Sequence, residues 1–262
     1  MKRTTYIMIG IFLGSLVLSI ASLIYLRSTF VNYDETIGKV DFSSEYTNMD
    51  FEDIHTLKVL VPARHSGNNN IIASGMVDIN PSSVENKTTI FYPISDYVKL
   101  SKKNGVLEVE VTAHPDSLKR ENSFIERISL ENLHLQVESG KGLKRVIVDW
   151  GMGLSIHQME LKELDIVSYS TKLDSCIIDS LSVSVDGFEC NKTTINTLRL
   201  EKIGWNKFDN SEIATLHIIG RGEHHYYVPD GNFGRILWEP KDEKARLELK
   251  LRNKAEIIMD NN

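Results

Sequence analysis

Residues 161–166 read Leu-Lys-Glu-Leu-Asp-Ile. Residues 178–183 read Ile-Asp-Ser-Leu-Ser-Val, residues 195–200 Ile-Asn-Thr-Leu-Arg-Leu and residues 213–218 Ile-Ala-Thr-Leu-His-Ile. All four follow the pattern apolar-x-x-apolar-x-apolar. The same pattern stands upstream at Leu130/Leu133/Leu135 and Leu143/Val146/Val148. Measured at the middle residue, the steps are 13, 18, 17, 17 and 18. A fixed period of this kind marks a stack of equivalent units, each too small to bury its apolar face alone.

The last two apolar residues of each triplet are two apart, so they share one face of a strand. The first lies three before the second, an odd number, so a corner or bulge must separate them. A strand, a corner and a return in 17 or 18 residues make one lap of a β-solenoid. Successive laps rest on one another at about 4.8 Å. The predicted fold is therefore all-β: a single-stranded, β-helix-like solenoid of roughly six laps over Leu130–Ile218. The residues between the two inward positions should face outward, lap by lap: His134, Ile147, Asp165, Ser182, Arg199 and His217. The row one step earlier is Asn132, Arg145, Glu163, Ser180, Thr197 and Thr215.

Outside the repeat, alternation still dominates. Weaker copies occur at Ile54/Leu57/Val59 and Val106/Val109/Val111, rich in the residues that strands prefer. In the tail, residues 245–252 (Ala-Arg-Leu-Glu-Leu-Lys-Leu-Arg) place Leu247, Leu249 and Leu251 on one face and charges on the other. That pattern suits a half-exposed strand covering an open solenoid end.

At the N-terminus, Tyr6–Leu26 is an uncharged run, preceded by Lys2 and Arg3 and followed by Arg27. Its length as a helix matches a bilayer core. Two readings compete: an uncleaved signal anchor, and a signal peptide cleaved after the small residues Ser19-Ile20-Ala21. The apolar run continues past Ala21, which favours the anchor. Either way the basic flank stays in the cytoplasm and the rest of the chain is exported. Gly10 and Gly14 form a GxxxG that would serve helix dimerisation, although small residues are common in membrane helices. The domain division expected is 1–30 anchor helix, 31–44 tether, 45–115 a β region capping or extending the solenoid, and 116–262 solenoid with its capping strand.

The chain has 262 residues with 30 Lys+Arg, 36 Asp+Glu and a net charge of −6. Its first 30 residues hold three basic residues and no acidic one, which leaves 27 positive and 36 negative charges, a net of −9, beyond them. Such a surface excludes electrostatic adhesion to anionic lipid and argues against nucleic-acid binding, which needs a basic face. The partners expected are the membrane, through residues 6–26, and an unidentified protein or glycan. Two cysteines, Cys176 and Cys190, exclude a disulfide scaffold. An oxidising compartment would permit one bond between them, but they stand out of register with their laps, and two buried thiols is the preferred reading.

Catalytic motifs are missing from the sequence. It has no HExxH, GxSxG or Walker loop. Glu163 and Asp179 come nearest to a carboxylate pair, but they occupy non-equivalent positions, and acid–base work needs a tight pair. His224 and His225 are adjacent and would face opposite ways on a strand, which makes them poor co-ligands. Residues 140–144 (Gly-Lys-Gly-Leu-Lys) lack phosphate-loop spacing and read as a turn, as do Gly151-Met-Gly153 and Asp186-Gly187. Asn86 and Asn191 head glycosylation triplets, without meaning in a bacterial chain. Trp150, Trp205 and Trp238, with Tyr226 and Tyr227, suit core and cap packing first, and stacking on sugars or a partner second. No catalytic, cofactor or metal residue is assigned.

With Gly105-Val-Leu-Glu-Val-Glu-Val111 and the laps from Leu130 to Ile218, residues 45–225 resemble the adhesin "head GIN domain" family of bacterial envelope proteins. The laps depart from that family in lacking Ser-Gly-Ser-Gly turns, and no Gly-Ile-Asn occurs. The resemblance implies a surface or periplasmic binding or adhesion role and carries over no catalytic residues. The expectation is a non-enzymatic, single-pass protein of the bacterial cell envelope with its C-terminal domain outside the cytoplasm, binding a protein or glycan. The alternatives are a carbohydrate-active enzyme on a β-helix scaffold and a structural or sensory subunit of an envelope complex.

Overall fold

A computed structural model describes residues 2–29, 37–42, 45–61, 70–112, 127–149, 151–202, 204–223, 225–229, 231–251 and 253–259. Most of the predicted tether 31–44 lies outside these residues, as do Trp150 and His224. One helix, α1 (Lys2–Thr29), opens the chain. Its side chains from Phe12 to Tyr25 are all exposed. Counted over the described residues, no helix is long and apolar enough to cross a membrane.

The other described elements are all strands, as expected. The strands are β1 (Ile37–Asp41), β2 (Tyr46–Glu52), β3 (Thr56–Leu60), β4 (Asn70–Pro81), β5 (Lys87–Pro93), β6 (Val98–Lys103), β7 (Val106–Val111), β8 (Arg127–Ser139), β9 (Arg145–Val148), β10 (Met152–His157) and β11 (Glu160–Val167). They continue as β12 (Ser170–Asp174), β13 (Ile177–Ser184), β14 (Gly187–Asn191), β15 (Thr194–Lys202), β16 (Trp205–Asp209), β17 (Glu212–Gly220), β18 (His225–Val228), β19 (Asn232–Pro240), β20 (Arg246–Leu249) and β21 (Glu256–Met259).

Sheet A runs β16-β14-β12-β10-β4-β8-β5-β2, with β1 also on β8; sheet B runs β21-β19-β17-β15-β13-β11-β9-β3-β7-β6; β18 and β20 pair alone. From β9 to β17 the chain alternates between sheets B and A, and each strand pairs in parallel with the one two places later in the same sheet. Three pairs near the beginning, β2–β5, β5–β8 and β6–β7, are antiparallel, so both large sheets are mixed. Neither closes on itself. The β6–β7 hairpin turns on Asn104 (φ 50°) and Gly105 (φ 71°), the residue types a two-residue turn with two left-handed positions prefers.

The registers in sheet B align the triplets. Leu161, Ile178, Ile195, Ile213 and Phe233 form one column, and Leu164, Leu181, Leu198, Leu216 and Ile236 the next. Ile166, Val183, Leu200, Ile218 and Trp238 form the third. All fifteen are buried. Between the first two columns the ladder passes over Lys162, Asp179, Asn196, Ala214 and Gly234. Two successive residues then face outward, which resolves the odd spacing as a bulge-like bend. The outer rows Asp165–Ser182–Arg199–His217 and Glu163–Ser180–Thr197–Thr215 align as expected.

The first two triplets do not join these columns as predicted. Leu130/Leu133/Leu135 lie on β8 in sheet A, not in sheet B. Their 13-residue step to Val146 covers one crossing between the sheets, too short for a full return. Val146 pairs with Ile166, and Arg145 with Asp165. The second triplet is thus shifted by two residues, and His134, Ile147, Asn132 and Arg145 leave the rows assigned to them. The reason is tertiary: β9 is sandwiched between β11 and β3, with Val146 opposite Leu57 and Val148 opposite Val59. Leu247, Leu249 and Leu251 of the tail pack against the core, with β20 parallel to β18.

Candidate functional site

On sheet A the inward positions are taken by Leu154, Thr171 and Phe188, so their neighbours point outward. One outward row runs across five strands as Met76, Gly153, Ser170, Gly187 and Trp205. Two long side chains fold down onto the two glycines. A Cβ on Gly153 would stand 2.9 Å from the Met76 sulfur, and one on Gly187 would stand 2.6 Å from the Trp205 indole. Any larger residue there would push these side chains off the sheet. Both stay accessible all the same: Trp205 is 52% exposed and Met76 40%. Tyr169, directly before β12, is also exposed. The result is a shallow row with aromatic and thioether ends and the small Ser170 at its centre.

Charged and amide groups border this row. Glu189 lies between Lys172 and Lys207 on neighbouring strands. Lys207 is paired with Asp209 and, at 3.6 Å, with Glu189, and the Asp209 hydrogen bond raises its ammonium above its ordinary pKa. Asn191 donates to Asp174 at 2.5 Å. At the β4 end Asp78 stands between two imidazoles. His134 Nε2 is 2.5 Å from one carboxylate oxygen and His157 Nε2 is 3.8 Å from the other. Among the described residues no group of three His, Cys, Asp or Glu is arranged to hold a metal ion.

The residues singled out in the sequence are scattered. Glu163 pairs with Lys144 at 2.6 Å, which holds its carboxyl below the usual range. Its register partner is Ser180 and not Asp179. His225 faces Glu248 at 3.1 Å. Tyr226 and Trp238 are buried and meet edge-on at 5.5 Å, whereas Trp205 and Tyr227 are exposed. Cys176 and Cys190 are buried free thiols. Lys141 and Gly142 form a turn before β9, but Gly153 and Gly187 belong to strands. The sequence marks Trp205 as an aromatic, while the glycine seat beneath it depends on pairing between residues 18 apart and is invisible locally.

No family model and no curated protein matches the chain. Solved structures do. A "putative adhesin" of Bacteroides fragilis is 13% identical, with 84% of this chain and 99% of that chain covered, at a TM-score of 0.49. A "putative lipid binding protein" of Parabacteroides distasonis is 12% identical (85% and 100% covered, TM-score 0.40). A "putative adhesin" of the same species is also 12% identical (85% and 100% covered, TM-score 0.38).

Proposed function

We propose that the chain is a non-enzymatic binding or adhesion protein of the bacterial cell envelope. In this reading the β-solenoid expected over 116–262, capped or extended by 45–115, lies outside the cytoplasm, and the N-terminal helix tethers it to the membrane as a single-pass anchor. The uncharged run Tyr6–Leu26 within α1 and the exposure of its described side chains support the tether. The parallel alternation of strands between two sheets supports the coil.

The observation that carries the binding reading is the Trp205 indole, laid over Gly187 and left 52% exposed beside hydrogen-bonding side chains. An exposed aromatic face on a rigid strand costs solvation and is useful where a partner covers it. The test is tryptophan emission from the full chain in detergent micelles, titrated with polysaccharide and with protein fractions of the envelope. A saturable change seen in the wild type and absent in Trp205→Phe is expected. No saturable change with either fraction would overturn the binding reading. A mature N-terminus at Ser22, found in a soluble fraction, would overturn the tether.

A further inference from the structure

The bend shared by the sheet B strands leaves a groove of about 370 Å³ on the outer face of that sheet. One wall is the row Ile177, Thr194, Glu212 and Asn232; the other is Asp179, Asn196, Ala214 and Gly234. Its floor is the backbone at Ile178, Ile195 and Ile213. The groove crosses β13, β15, β17 and β19, so it runs along the stacking direction for three strand spacings, about 14 Å. The second wall shrinks from a carboxylate to an amide, a methyl and a hydrogen, so the groove opens toward β19.

Its chemistry narrows the occupant. The floor strands lie inside the sheet with a paired strand on either side, so an extended peptide finds no strand edge to join. What is offered is a set of hydroxyl, amide and carboxylate groups, repeated once per strand spacing. Asp179 and Glu212 are the charged lining residues, and the nearby Arg235 is held by Glu256 at 2.7 Å. Lys162 on β11 stands beside Asp179, at the β13 end, so along the groove itself a polyanion meets two carboxylates. Ile177, 54% exposed, supplies one apolar surface at the β13 end.

We propose that this groove binds a neutral linear glycan lying along the stack, its hydroxyls meeting Asp179, Thr194, Asn196, Glu212 and Asn232 and a C–H face resting on Ile177. The inference rests on the reading of the chain as a binding protein but not on the Trp205 row, which lies on the other sheet.

The experiment is calorimetric titration of the full chain in detergent micelles. The probes are cello-oligosaccharides and chito-oligosaccharides of four to six sugars, with oligogalacturonate as the anionic comparison. Asn196→Ala and Ala214→Tyr alter exposed positions, and circular dichroism checks that each stays folded. The expected result is saturable binding of a neutral oligosaccharide, no binding of oligogalacturonate, and at least about tenfold weaker binding in both groove variants, with Trp205→Phe unchanged. Binding lost in Trp205→Phe but kept in the groove variants would overturn the groove while leaving the binding function standing. Tighter binding of oligogalacturonate, or no binding of any neutral oligosaccharide, would overturn it too.

Discussion

Cys190 lies in the core of sheet A, opposite Leu173 on one side and Phe208 on the other. Burial pushes its thiol up to about 12 from the ordinary 9.0, with nearby Cys176 adding to the rise and hydrogen bonds from Ser211 and Thr193 working against it. An acid whose pKa is raised by folding stabilises the folded state fully below its unfolded value. That advantage is lost as pH climbs from about 9 toward 12, because the unfolded chain gives up its proton first. Three pH units correspond to about 4 kcal/mol as an upper bound. Stability measured by urea unfolding should therefore fall between pH 9 and pH 11 more steeply in the wild type than in Cys190→Ala. Tyrosines and lysines titrate in the same window, so the difference between the two curves is the quantity to read. Parallel curves would mean that the thiol is less buried than its position implies.

The corner after each of β10, β12, β14 and β16 works as an element of its own. Gln158, Ser175, Lys192 and Asn210 all have φ near +50°, spaced by 17, 17 and 18 residues. The next residues, Met159, Cys176, Thr193 and Ser211, turn inward and are buried. The Cys176 N–H donates to Thr193 Oγ1 and the Thr193 N–H to Ser211 Oγ, both at 3.2 Å. The two hydroxyls donate back to the carbonyls of Asn191 and Asp209. Thr193→Val keeps the shape but strands a buried N–H, which costs about 1–3 kcal/mol. Chemical denaturation should show this loss, and Thr193→Ser should restore most of it. The sheet B columns were legible because Leu, Ile and Val recur there at fixed offsets. These corners were not. Of the four left-handed residues only Asn210 is of a type that favours that conformation, and a buried row of Met, Cys, Thr and Ser shares no side-chain class. Sheet A strands hide in the same way: Phe188 and Cys190 occupy the places that Leu154 and Ile156 hold on β10, so the sequence repeat is lost where the structural repeat persists. Trp205 is visible as an aromatic, but its seat flat on the sheet depends on Gly187 of the neighbouring strand.

At the scale of the molecule, stability should vary along the stack. In a linear array each unit is held by its neighbours, so interior units gain two interfaces and terminal ones a single interface. β13 and β15 are paired on both sides, whereas among the described residues β21 is paired only with β19. The columns that bury Leu198 and Leu200 end on Ile257 and Met259, which are 53% and 61% exposed. Amide exchange should follow this gradient, with Leu181 and Leu198 exchanging through global opening and Ile257 and Met259 orders of magnitude faster through local fraying. Substitution should follow it too. Leu198→Ala removes a side chain enclosed by Leu181 and Leu216 in its column and should cost about 2–5 kcal/mol. Ile257→Ala, at the uncovered end, should cost less than about 1 kcal/mol, because little of its surface leaves water on folding. Equal costs at the two sites, read from the same urea curves, would mean that something covers β21 in solution.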